Sequence, residues 1–206
     1  MKTILLNFVV CRNSLGQNGW QDTPYMRDQF EQMIEQVNMW YANPGTKGYS
    51  STCEAANITA SDTKIRFEIQ EIYFLDNDAF NAAYTGSGLN AIMNYMETVH
   101  PESRAAMNQI FTQPPPPHDT WSGNYWGAYV PNASLRSYVW NRSSMGSADP
   151  ANWTDLINHL VHEYGHAVGL HHTYGGAEQL QMSHYDFLDD VFGACPEPAL
   201  TTSGDP

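Results

Sequence analysis

Apolar and polar positions along this chain recur with two periods, and each period marks out elements. Ile4 to Val10 form an apolar run with β-branched members, interrupted by Asn7, and predict a buried opening strand. Gly16 and Gly19 predict a loop after it. Asp22-Thr23-Pro24 offers a capping side chain and then a proline where its missing N–H is harmless, which is a helix start. Met26, Phe30, Met33, Ile34, Val37, Trp40 and Tyr41 follow at three- and four-residue steps, one apolar face of an amphipathic helix that Asn43-Pro44-Gly45 ends. This stripe of Met and aromatic residues reads as core. Ile65, Phe67 and Ile69 alternate with Lys64, Arg66 and Glu68, a strand with one wet face running on toward Phe74. Leu89, Ile92, Met93, Met96 and Val99 predict a second helix. Pro114 to Pro117 form a stiff extended spacer within a long irregular surface region. Two strand-like pieces, Tyr125 to Val130 and Leu135 to Trp140, are divided by Pro131-Asn132. Asp149-Pro150 signals another helix start, and Leu156, Leu160, Val161, Tyr164, Ala167 and Val168 carry its apolar face. Thr173 to Pro206 are rich in Gly, Asp, Pro and Ser and read as irregular. With no internal repeat and no boundary before the last helix, the chain predicts one α/β domain.

Composition narrows the partners. A chain of 206 residues with 42% apolar residues can bury one good core. Nine Lys and Arg face 22 Asp and Glu, a formal charge of -13, so nothing is available to neutralise phosphates, and nucleic acid and anionic membrane surfaces are excluded as partners. The acidity serves solubility or cation binding. No stretch approaches membrane-spanning length, so no membrane insertion is expected. Cys11, Cys53 and Cys195 are odd in number and too far apart for a CxxC site, leaving one bridge plus a free thiol, or three buried thiols. The N-terminal run is short, carries Asn7 and lacks a small-residue cleavage site, so it predicts a strand, with any export signal already removed. Sequons at Asn57, Asn132, Asn141 and Asn152 matter only in a eukaryotic secretory pathway.

The chemistry is concentrated in His162-Glu163-Tyr164-Gly165-His166-Ala167-Val168-Gly169-Leu170-His171-His172, which holds four of the eight histidines. Positions four apart stack on one face of a helix, so His162 and His166 can aim two imidazoles at one point with Glu163 beside them. A third ligand ten residues after His162 lies too far along a helix axis to join them, so the chain must turn back. Gly169 suits the left-handed conformation that ends helices and lets His172 return. Three neutral imidazoles with an open fourth position describe a catalytic zinc site. Zinc acidifies a bound water, and Glu163 is placed to take its proton and deliver it to a leaving amine. The expected reaction is peptide hydrolysis without a covalent intermediate. His159 reads as structural and His171 as a solvated loop residue, while Trp121, Trp126 and Trp140 read as packing or cleft-wall residues. His184 is a weak candidate for substrate contact or a distorted ligand set.

The spacing HExxHxxGxxH is the metzincin signature. With Gly165, Leu170, Thr173 and Tyr174, it resembles the pappalysin family of metzincins, bacterial ulilysin-like members included, over about fifteen residues. The order of strand, long helix, strands and active-site helix is also similar. The resemblance implies an α/β metzincin-type fold: a mixed, mostly parallel five-stranded sheet, a long backing helix, an active-site helix and an irregular C-terminal subdomain. Residues 1–169 would form the upper subdomain and 170–206 the lower one. It implies an edge strand that adds an extended substrate to the sheet. The candidate is Tyr125, Trp126, Gly127, Ala128, Tyr129 and Val130, with an ordinary interior strand as the alternative. Metzincins also carry a methionine turn beneath the zinc. Met182 with Tyr185 is one candidate; on the competing reading the segment from Tyr185 to Pro196 is an insertion preceding that turn and the chain is truncated. Asp186, Asp189 and Asp190 either bind calcium or form a solvated acidic loop, and their spacing matches no EF-hand. The expected protein is a monomeric, secreted zinc endopeptidase acting on protein or peptide substrates. Its rivals are a zinc-bearing binding or adhesion module without turnover, and a delivered effector or toxin.

Overall fold

A computed structural model describes residues 1–42, 62–113, 122–126, 138–142 and 153–168. Strand β1 (Lys2–Arg12) leads into helix α1 (Pro24–Ala42), and β2 (Ile65–Asp76) follows. A short turn of helix, α2 (Asp78–Asn81), precedes α3 (Gly86–Val99) and a 3₁₀ turn at Pro101–Ala105. Strands β3 (Met107–Thr112), β4 (Ser122–Trp126) and β5 (Tyr138–Arg142) come next, and α4 (Thr154–Ala167) closes the described chain.

These strands form one sheet in the order β2-β1-β3-β5-β4. β1 pairs in parallel with β2 and β3, β3 pairs in parallel with β5, and β4 runs antiparallel to β5. The chain therefore leaves β1 toward one side and later returns past it to β3. Right-handed crossovers made in opposite directions place their helices on opposite faces of a sheet. The two core clusters follow that rule. Ile4, Leu6, Phe8 and Val10 of β1 face α1 and α4, whereas Val9 and Cys11 face α3. The mixed α/β organisation with a largely parallel sheet agrees with the sequence reading.

Local chemistry explains the boundaries. At the start of α1, the Thr23 hydroxyl accepts from the Met26 N–H at 3.1 Å, while Asp22 pairs with Arg27 at 2.7 Å. The predicted apolar face is the buried one, with Phe30, Val37 and Tyr41 fully inside. On α3 the Thr85 side chain accepts from Gly88, and Leu89, Ile92, Met93 and Met96 are buried. Val99, assigned to that face by periodicity, is exposed.

β2 departs from strict alternation. Ile65, Phe67 and Ile69 belong to the α1 side of the sheet, and so do Ile72 and Phe74. The register with β1 slips between Leu6 and Asn7, so Gln70 is the extra residue of a β-bulge. The bulge moves the inward set from odd to even positions.

β3 is a central strand that hydrophobic periodicity misses. Every residue of Met107-Asn108-Gln109-Ile110-Phe111-Thr112 is buried, polar ones included. Asn108 lies opposite Asn7 in register, and Asn7 Nδ2 donates to Asn108 Oδ1 at 3.2 Å and to the Ser103 carbonyl at 3.0 Å. Asn108 Nδ2 donates to the same carbonyl at 3.1 Å. The Asn7 that interrupts the first apolar run is thus the partner of a polar residue in the neighbouring strand. Asn7→Ala leaves those buried acceptors without this donor and is expected to lower unfolding stability by about 1–3 kcal/mol. Urea denaturation checks this, and an unchanged midpoint would refute it.

Cys11 is a free thiol fully buried in the α3-side cluster, and burial raises its pKa. Cys53 and Cys195 lie outside the described residues, as do Asn43-Pro44-Gly45, Pro114 to Pro117, Pro131-Asn132 and Asp149-Pro150.

Candidate functional site

Helix α4 carries the histidine motif. Leu156, Leu160, Val161, Tyr164 and Ala167 recur at steps that keep them on one face, and all are buried against the α1 side of the sheet. The helix packs against α1, β4 and β5. Its first turn opens with Ile157 N–H donating to the Trp153 carbonyl at 2.8 Å. At its end, the Val168 N–H reaches both the Tyr164 and Gly165 carbonyls, at 3.1 and 3.2 Å. This sharing tightens the last turn immediately before Gly169.

Two sets of contacts fasten α4. At its start, Trp153 is buried with its ring 5.6 Å from Trp20, which itself packs against Phe30 and Phe111. Near the motif, Tyr41 on α1 donates its hydroxyl to the Val161 carbonyl at 2.9 Å. The Phe67 ring lies 5.0 Å from Tyr41 and 4.8 Å from Tyr164. Burial raises the pKa of Tyr41, and burial together with Tyr41 raises that of Tyr164, so both phenols stay protonated.

His162 is 5% exposed and Glu163 is 4% exposed. Position 166 follows one helical turn after position 162, on the same face of α4. His159 lies three residues before His162 and is half-buried. Gly169, His171, His172, Met182, His184, Tyr185, Asp186, Asp189 and Asp190 lie outside the described residues. Among the described residues, no group of three or more His, Cys, Asp or Glu side chains is placed to hold a metal. The donor set on α4 fits zinc in type and spacing: two histidine positions one turn apart, the first shielded from water, with a carboxylate residue between them.

β4 is the last strand in the sheet order, and it is antiparallel to its neighbour. It runs from Ser122 to Trp126, so it starts three residues earlier than periodicity places it. Tyr125 and Trp126 belong to this edge, while Gly127, Ala128, Tyr129 and Val130 lie outside the described residues. β5 runs from Tyr138 to Arg142, so it starts three residues later than periodicity places it, and it includes Trp140.

The residue that sequence reasoning missed is Tyr41, read only as part of an apolar stripe. A buried tyrosine ordinarily finds a partner for its hydroxyl, which was the available signal.

A family model for reprolysin-like metallopeptidases of family M12B matches residues 46–173, a span containing the whole motif through Thr173. The chain belongs to the reprolysin-like M12B metallopeptidase family. Membership makes it a zinc metallopeptidase of metzincin type, and implies a catalytic zinc and protein or peptide substrates. The match supports the metzincin type of the sequence reading and does not show the pappalysin assignment. No curated protein matches the chain. No described helix of this reprolysin-like chain is long and apolar enough to cross a membrane.

Proposed function

We propose that the chain is an endopeptidase in which His162, His166 and His172 hold one zinc and Glu163 acts as general base and then general acid. The observation that carries this reading is the placement of His162 and Glu163, both buried, on the same helix as His166. Bound zinc supplies Lewis-acid polarisation of a carbonyl and brings the pKa of a water toward neutrality. Glu163 takes the proton of the attacking water and passes it to the leaving amine. His162, 5% exposed on α4, is shielded from water. An extended substrate strand adds to the sheet at β4, along Tyr125 and Trp126, in the mode by which peptides extend sheet edges.

The finer placement we favour is with the pappalysins, ulilysin-like members included, on the strength of Gly165, Leu170, Thr173 and Tyr174. On this reading residues 1–169 form the upper subdomain and residues 170–206 the lower, with Met182 and Tyr185 one candidate for the methionine turn beside the reading of Tyr185 to Pro196 as an insertion preceding it. The enzyme acts outside the cell as a monomer. Calcium at Asp186, Asp189 and Asp190 has no support beyond the acidity of that stretch.

The test is zinc content together with cleavage of a denatured protein mixture. One zinc per chain, loss of cleavage on chelation and its return on adding zinc are expected. Cleavage that persists after chelation, or a zinc content near zero in every preparation, would overturn the assignment.

A further inference from the structure

The last turn of α1 contacts both the edge strand β2 and the motif helix α4. Asn38 Nδ2 donates to the Phe67 carbonyl at 2.8 Å, and the Phe67 N–H donates to Asn38 Oδ1 at 2.7 Å. One side chain therefore pairs with both backbone groups of Phe67, as a neighbouring strand would. The Phe67 ring then lies against Tyr164 of α4. Three residues after Asn38, Tyr41 makes the second link, from its hydroxyl to the Val161 carbonyl. Its own carbonyl accepts from the Thr63 N–H at 3.0 Å and the Thr63 hydroxyl at 2.9 Å, which ties the approach to β2 to the same turn.

Val161 directly precedes His162, and its carbonyl is the one that a regular α-helix pairs with the N–H of Gly165, the residue before His166. A carbonyl has two lone pairs, so it can accept from Tyr41 as well. A hydrogen bond at that oxygen acts on the single turn of helix spanning both histidine positions. The phenol is fully buried and held protonated, so the bond persists across the working pH range.

We infer that Tyr41 is a positioning residue for the zinc ligands: its bond to Val161, braced by Asn38 on Phe67, sets the rotation and height of the helical turn bearing His162 and His166. This rests on the zinc reading of α4 given above. Tyr41 touches neither zinc nor substrate. It acts through the backbone of α4, and the cost of losing it appears in how well the two imidazoles meet one ion.

Tyr41→Phe keeps the ring against Phe67 and removes only the hydroxyl. Zinc affinity, measured by competition with a chromophoric chelator on the folded protein, is expected to fall about 5-fold, the size of one net hydrogen bond. Val37→Ala, one turn earlier in the same buried face, serves as the comparison: it lowers the melting temperature of the apo protein and leaves zinc affinity at the wild-type value. Amide exchange at residues 162–166 of apo Tyr41→Phe should quicken while that of the first turn of α4 does not. If Tyr41→Phe melts at a lower temperature yet binds zinc as the wild type does, Tyr41 is a packing residue and the inference fails. Equal loss of zinc affinity in Tyr41→Phe and Val37→Ala overturns it as well. A wild-type protein that takes up no zinc fails the reading of the site itself, and the inference falls with it.

Discussion

Replacing Glu163 by Gln is expected to lower kcat/KM for a protein substrate by about 10²–10⁴-fold, the range that a positioned general base contributes. The substitution keeps size and shape, so α4 should fold as before and zinc content should stay at one per chain. The separation between metal content and turnover is what makes the result diagnostic. Glu163 sits between two histidine positions on a helix whose other inward residues are Leu, Val, Tyr and Ala. A carboxylate at 4% exposure in that setting is out of place for solubility or surface charge. If Glu163 moves the proton, the amide of Gln can neither take it from water nor return it to the amine, and both kcat and kcat/KM fall together. If the carboxylate only braces the helix, Glu163→Gln leaves kcat near the wild-type value while the melting temperature falls. Activity within about threefold of wild type would remove the general-base role, whatever the zinc content. His162→Ala, by contrast, is expected to lose zinc and activity together, so the two variants separate holding the metal from using it.

What could be read from the sequence depended on the range of the interaction. Helices α1 and α4 were legible because amphipathic period is local: Phe30, Val37 and Tyr41 on one, Leu156, Leu160 and Tyr164 on the other, are each placed by the turn that carries them. The motif spacing was legible for the same reason, since His162 and His166 need only one helix. Strand β3 was not, because it is buried on both faces and holds Asn108, Gln109 and Thr112 inside. Asn108 pairs with Asn7, 101 positions away, and Thr112 donates to the Ala83 carbonyl, 29 positions away, and a window of a few residues contains no trace of either. The bulge at Gln70 left a faint mark, the change from odd to even apolar positions in β2, which becomes readable only once the strand is known to stay on one face. The Tyr41 bond to Val161 spans 120 positions, so only the general need of a buried phenol for an acceptor pointed toward it. A return of His172 toward α4, as proposed above, would likewise be a tertiary matter, which a glycine at 169 permits without directing.

Phe8→Ala is expected to cost about 3–5 kcal/mol of unfolding free energy, the largest stability effect of any single side chain considered. Phe8 is fully buried in the interior strand β1, with edge-to-face contacts to Phe30 of α1 and Phe111 of β3, both at 5.3 Å. Those two rings also flank Trp20, which packs on Trp153 at the mouth of α4. Removing the Phe8 ring therefore opens a cavity where the sheet, the backing helix and the approach to the motif helix meet, and close-packed neighbours fill such a hole only in part. Against a typical total of about 5–15 kcal/mol the loss leaves the domain marginal. Phe8→Leu restores most of the volume and should cost less, about 1–1.5 kcal/mol, though it forfeits the aromatic edges. Equilibrium urea unfolding of the zinc-free protein measures both variants without linkage to metal binding. An Ala variant within about 1 kcal/mol of wild type would mean that the five rings are not one packed unit. In that case the start of α4 would have to be held by its other neighbours, β4 and β5, rather than by the aromatic cluster under the sheet.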